Sequence, residues 1–256
     1  MSLFSSRKWQ LDTQAYLNVC NISAALPRQQ IRDFAKGVND LGLWDSMVCW
    51  PLRSTQNYGS GTTAFSLGGL GRFDGTLVNG PTWGASGIAF DGSKIMTTSG
   101  LVHNPSTTNS SLVAVVSSSE VANVVVIVEM FNGTASGVRL RRDDSRYGIS
   151  VITSIATQAV TSISSSATAN VFAFAAGSFS PSQQFAVANG SQSSVSTNTL
   201  GNANTISFQL GLAVANFNGT NAFAAYFGST ALTFAQTQSI RDLYKATLGQ
   251  GLTGLP

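Results

Sequence analysis

In "TISFQLGLAVANF", residues 205–217, the large apolar residues Ile206, Phe208, Leu210, Leu212 and Val214 alternate with Ser207, Gln209, Gly211, Ala213 and Ala215. Successive side chains of a strand point to opposite faces, so this period buries one face and leaves the other polar, whereas a helix would scatter the same residues around its axis. The period returns in "GIAFD" (87–91), "SLVAVV" (111–116), "NVVVIVEMF" (123–131), "GVRLR" (137–141), "YGISVIT" (147–153), "ANVFAFAAG" (169–177), "QFAVA" (184–188) and "NAFAAYFG" (221–228). Between these runs stand Asn79-Gly80-Pro81, Asp91-Gly92, Asn132-Gly133, Asp143-Asp144-Ser145, Asn189-Gly190 and Asn218-Gly219, residues that tolerate the positive φ of tight hairpins. Many short strands joined by such turns predict an all-β chain, a two-sheet antiparallel β-sandwich or jelly roll.

The two ends differ from this middle. Ile31, Phe34, Ala35, Val38 and Leu41 share one helical face, with Pro27 suited to the first turn and Gly42 to the C-cap. Near the C-terminus, Thr233 and Gln236 have capping-box spacing, and Ile240, Leu243, Tyr244 and Leu248 line one side of a second helix. Residues 1–22 carry no clear period and are expected as an irregular or extended arm. The expected division is therefore an N-terminal arm and docking helix over 1–50 and a sandwich over 51–256.

Only 10% of the 256 residues are charged while 43% are hydrophobic, so the chain has ample material for a core and little for ionic chemistry. A net charge of +3 from 14 basic and 11 acidic residues is too diffuse for a nucleic-acid partner, and two aspartates interrupt the densest basic run, "RLRRDDSR". No apolar run reaches membrane-spanning length, since "VVVIVEM" is strand-sized and contains Glu129. Arg7 and Lys8 are not followed by the apolar stretch of a secretion signal. Cys20 and Cys49 lack the paired spacing of a zinc site and are expected as buried free thiols.

Catalytic patterns are equally sparse. Glycoside hydrolysis needs two carboxyl groups about 5 to 10 Å apart, yet Glu129 stands alone in its strand and Glu120 lies nine residues before it. Glu129 is expected on the solvated face or paired with an arginine. Asp143 and Asp144 fit a hairpin tip, Asp74 and Asp91 fit turns, and His103, the single histidine, sits in a loop-like "GLVHNPS". Ser5-x-x-Lys8 matches S-x-x-K without its partner motifs, and Gly59-x-Gly61-x-x-Ala64 is followed by no helix. No cofactor, metal site or catalytic set is therefore expected. Trp44, Trp50 and Trp83 are expected as packing anchors.

The ordered series "GTLVNGPTWGASGIAFDGS", "FAVANGS" and "NAFAAYFGSTALTFAQTQSIRDLYKATLG" resembles the concanavalin A-like lectin/glucanase superfamily in its laminin-G-like form. Upstream, "IRDFAKGVNDLGLWDSMVCWPLRS" is similar to segments that precede such domains in bacteriophage structural proteins. The resemblance implies a carbohydrate-binding or interaction sandwich in a non-enzymatic virion protein, as capsid decoration, head fibre or tail component, assembled in the host cytoplasm and released by lysis. An adhesin devoted to host glycans, and more remotely a polysaccharide hydrolase, are the alternatives. Arg139, Arg141 and Tyr147, straddling one hairpin, are the expected saccharide contacts. Arg7, Lys8 and Trp9 are expected to dock the arm on a neighbouring virion protein. A homo-oligomer is expected, with neither nucleic acid nor membrane as partner.

Overall fold

The computed structural model describes residues 5–103, 108–118, 125–131, 137–143, 146–154, 157–164, 169–197, 206–211 and 217–255. Helices α1 (Ser5–Val19) and α2 (Ala25–Asp40) lead through a single 3-10 turn at Trp44–Ser46 into β1 (Met47–Pro51). There follow β2 (Thr63–Ala64), β3 (Gly75–Val78), β4 (Thr82–Gly84), β5 (Gly87–Asp91), β6 (Ile95–His103), β7 (Ser110–Ser118), β8 (Val125–Phe131), β9 (Gly137–Asp143) and β10 (Arg146–Ser154). The chain continues through β11 (Thr157–Ser164), β12 (Ala173–Phe179), β13 (Gln184–Ala188), β14 (Ser191–Gln192), β15 (Ile206–Leu210) and β16 (Asn218–Gly228), and then α3 (Phe234–Ala246).

The strands form two eight-stranded antiparallel sheets. The first runs β14-β13-β12-β7-β16-β5-β4, with β1 also on β16. β5 pairs with residues 218–221 of β16 and β1 with residues 223–227, the changeover coinciding with a bulge between Asn221 and Phe223. The second sheet runs β11-β10-β9-β8-β15-β6-β3-β2.

Leu112, Ala114 and Val116 of β7 face the second sheet, while Val113 and Val115 belong to a separate apolar layer containing Ile31, Phe34, Val38, Ile240 and Tyr244 of the helices. The molecule therefore has three layers: helices, first sheet, second sheet. Because the first sheet is covered on both faces, every residue of β7 and of β12 is buried. Trp50 of β1 is fully buried, stacks on Phe208 of the second sheet at 4.5 Å and donates its indole N–H to the Phe73 carbonyl. Trp44 donates to Asp12 and Trp83 to the Gly61 carbonyl, so all three tryptophans are packing anchors.

α2 ends in a Schellman motif: Leu43 N–H bonds Val38 C=O, Gly42 N–H bonds Asn39 C=O, and Gly42 takes φ +72°. α3 opens with the Thr233–Gln236 capping box. The β13–β14 hairpin turns at Asn189-Gly190 with positive φ at both residues, and Asn79-Gly80, also with positive φ at both, joins no hairpin but carries the chain from β3 of the second sheet to β4 of the first.

β1 begins at Met47, and the helices share an apolar layer with the first sheet. Three expectations are corrected. Residues 5–19 form a helix rather than an extended arm, and Thr13, Tyr16, Leu17 and Cys20 recur at helical spacing on its buried side. Asn218-Gly219 is no turn but the start of β16, where a Cβ on Gly219 would run into the Ser117 carbonyl of the adjacent strand. His103 closes strand β6 rather than sitting in a loop. Asn132-Gly133 and Asp144 lie outside the described residues.

Candidate functional site

The helices lie on the first sheet, leaving the outer face of the second sheet as the one whose residues the sandwich does not need for its core. Register aligns one residue from each of six neighbouring strands into a single transverse row on that face: Thr63, Thr76, Thr97, Gln209, Glu129 and Arg139. The neighbouring row, Leu77, Met96, Leu210, Val128, Leu140 and Ile149, is wholly buried between the sheets. Two adjacent rows, one polar and one apolar, are the two-residue period extended across strands.

At one end of the polar row, Arg139 Nε donates to Glu129 Oε2 at 2.7 Å. The Glu129 side chain is 3% exposed and that of Arg139 15%. Burial pushes the Glu129 carboxyl above the usual value of 4.5, while the Arg139 charge and its hydrogen bond pull it the other way. Gln209 adjoins Glu129 on β15, and Arg141 stands two residues along β9 from Arg139; both are half-buried. Thr76 and Ser207 are exposed. The row thus sets hydroxyls and an amide around a largely buried ion pair, a set suited to polyhydroxylated ligands and lacking diffuse positive charge.

Of the predicted saccharide contacts, Arg139 and Arg141 lie on this face. Tyr147 does not: it is 1% exposed and packs in the inter-sheet core, with the Arg142 guanidinium 5.9 Å over its ring. Its position opposite Arg142 in the β9–β10 register puts it on the face opposite to Arg139 and Arg141. Gln209, Thr97 and Thr76 were missed as site residues; the alternation in each strand carries the signal, but only the pairing register brings them together.

The predicted docking residues also serve the chain itself. Lys8 Nζ bonds Asp45 Oδ1 and the Gly69 carbonyl, each at 2.6 Å, and Trp9 packs half-buried on the helical core, while Arg7 is exposed. The side of α1 that carries Lys8, Asp12 and Tyr16 borders an open cavity of about 260 Å³ lined on its other side by Ser66, Leu67, Gly68 and Arg72. Cys20 and Cys49 are buried free thiols, and burial pushes Cys20 up to about 12. Among the described residues no three His, Cys, Asp or Glu side chains gather as a metal site, and no helix is long and apolar enough to cross a membrane.

Two stacked antiparallel sheets define a two-sheet antiparallel β-sandwich. No family model matches the chain, and no curated protein matches it. Its fold is similar to that of domain 4 of an extracellular GH43 arabinanase from Geobacillus stearothermophilus, solved in complex with arabinotriose: 15% identity, TM-score 0.50, covering 76% of this chain and 87% of that domain. It is also similar to botulinum neurotoxin type C, in a structure whose subject is cell entry through two ganglioside molecules: 9% identity, TM-score 0.59, 80% of this chain and 53% of that one. A mutant Trypanosoma rangeli sialidase with trans-sialidase activity aligns at 12% identity and TM-score 0.57, over 86% of this chain and 39% of its own. The chain thus spans most of the arabinanase domain but about half or less of the other two.

Proposed function

We propose that this chain is a non-catalytic, saccharide-binding β-sandwich carried on a bacterial virus particle, as capsid decoration, head fibre or tail component, with the outer face of the second sheet toward host glycans. The observation that carries the binding role is the uninterrupted polar row ending in Glu129 and Arg139, on the face the helices leave uncovered. A saccharide offers many hydroxyls and little apolar area, and a row of alternating donors and acceptors matches it without strong net charge. Solved sandwiches of similar fold that meet arabinotriose or gangliosides lend support. Fold alone does not decide function, so the face must be tested directly.

The virion role draws on the low charge density, on the phage-like "GLWDSMVCWP" context of α2 and β1, and on the lack of a catalytic pattern in the sequence. Glu129 engages Arg139, which suits ligand positioning better than nucleophilic attack.

Titration calorimetry of the folded protein against arabinotriose, sialylated oligosaccharides and purified bacterial surface polysaccharides tests the binding reading. Binding of at least one class is expected, and Arg139→Ala should weaken it about tenfold or more, the loss of a charge-assisted hydrogen bond. Silence across all three classes would sink the binding role. Release of reducing ends from a bound polysaccharide would replace it with the hydrolase reading. Antibody labelling of particles tests the location, and particles lacking the chain that assemble but fail to adsorb would favour the adhesin reading.

A further inference from the structure

One face of α1 carries Lys8, Asp12, Ala15, Tyr16 and Val19 at helical spacing, and it looks across the open cavity at the 66–72 segment. The glycines of that segment are set by neighbours on its other side. A Cβ on Gly68 would run into the Met47 carbonyl of β1, and one on Gly69 into the Trp44 indole. Their bareness leaves room on the α1 side. The resulting volume, about 260 Å³, lies near the lower end of the ~300 to 1,000 Å³ usual for small-molecule sites. One ring-sized ligand fits, and a long chain does not.

The polar groups around this space are fixed in advance. Asp74 accepts from Ser66 N–H at 2.9 Å, from Ser66 Oγ at 3.1 Å and from Arg72 Nε at 2.7 Å, while the Arg72 guanidinium lies 5.5 Å over the Phe65 ring. Arg72 is thus held by its inner nitrogen and remains exposed, which turns its terminal amino groups toward a ligand. Trp44 Nε1 donates to Asp12 Oδ2 at 3.0 Å, orienting the carboxylate and keeping Oδ1 as an acceptor. Buried Asn57 bonds the backbone of both Tyr58 and Phe65. The exposed Tyr58 ring stands edge-on to Phe65 at 6.0 Å, extending an aromatic rim from the Arg72 end.

We propose that this cavity is a separate saccharide site that takes one neutral hexopyranose unit, with Asp12 Oδ1 accepting from ring hydroxyls and Arg72 and Lys8 donating to them. Charge selects the neutral class. A ligand carboxylate drawn to Arg72 or Lys8 would meet Asp12 across the same small space, with Asp45 and Asp74 behind the two cations. An amine drawn to Asp12 would meet Lys8 and Arg72. A hydroxyl both gives and accepts, so a neutral polyol uses groups of both signs at once. Tyr58 offers its ring to the C–H face of the next sugar along. The site belongs to α1 and the 66–72 segment, and it stands whether or not the outer face of the second sheet binds.

Saturation-transfer NMR of the full chain with the methyl pyranosides of glucose, galactose and mannose tests this. At least one should bind in the millimolar range, and methyl glucuronoside and glucosamine should bind more weakly. Ala15→Phe pushes a ring into the cavity from its exposed rim, and should abolish binding with an unchanged circular dichroism spectrum. Arg72→Ala should weaken binding about tenfold, the loss of a charge-assisted donor, whereas Arg139→Ala should leave it unchanged. Silence from all three neutral sugars, tighter binding of the uronate or the amino sugar, or binding that survives both Ala15→Phe and Arg72→Ala would each overturn the inference. Binding lost only with Arg139→Ala would put the sugar on the outer face, sinking this site while sparing that reading. Should Ala15→Phe fail to fold, Arg72→Ala decides alone, its side chain being exposed.

Discussion

Glu129 and Arg139 show how a single pair can be informative where composition is not. Taking a carboxylate out of water costs more than the facing guanidinium returns, so the Glu129 carboxyl sits above its ordinary 4.5 despite a 2.7 Å bond. The folded protein therefore holds a proton there that the unfolded chain has already released. That contribution to stability is fully present below 4.5 and is lost as the pH rises through the folded value. Glu129→Gln keeps the shape and an acceptor for Arg139 but has no proton to lose. Urea unfolding of the wild type should show stability falling from about pH 4.5 toward neutrality, and the variant should lack that fall; identical pH profiles would show that Glu129 is ionised normally. Tyr147 makes the opposite point, since its distance in sequence from Arg141 suggested a shared surface, while the hairpin register sends it inward.

α1 decides between docking on a neighbour and docking at home. Leu17 is 1% exposed in the layer between helices and first sheet, whereas Leu11 on the same helix is 69% exposed. Leu17→Ala should cost about 2 to 5 kcal/mol in denaturant unfolding, and Leu11→Ala should change stability by no more than about 0.5 kcal/mol. Equal and small effects would mean that α1 is not packed on its own chain. The sequence concealed this helix for a physical reason: its buried side mixes Thr13, Tyr16, Leu17 and Cys20 while Leu11 points outward, so no clean apolar stripe appears. α2 and α3 were legible because Ile31, Phe34, Ala35 and Val38 in one and Ile240 and Tyr244 in the other keep a mainly apolar stripe, with Gly42 closing α2 and the Thr233–Gln236 box opening α3. Strands with one wet face, such as β9 and β15, announced themselves by alternation. β1 did not, because "MVCWP" is buried at all five positions and carries no period. Of the candidate site, Arg139 and Arg141 could be read within one strand, but Thr76, Thr97 and Gln209 belong with them only through pairings of high sequence separation.

The three-layer plan ties the N-terminal helices to the fate of the whole molecule. Val113, Val115, Phe174, Phe223 and Phe227 all lie on the first sheet's helix-facing side and are fully buried there. Each is worth about 1.5 to 3 kcal/mol of burial, a sum comparable with the total stability of an ordinary domain. A chain starting at Leu43, without α1 and α2, would present much of this face to water as one contiguous apolar patch, far beyond what a lone protein exposes. Phe34 also packs edge-on against the Phe223 ring at 5.4 Å, a contact that vanishes with α2. The truncated protein should therefore aggregate on expression, or bind a hydrophobic dye strongly if recovered, while Leu11→Ala in the full chain should do neither. A truncated chain that stays in solution with the full-length circular dichroism strand signal and melting temperature would mean that the helices are accessories to a self-sufficient sandwich, as a separable docking element requires.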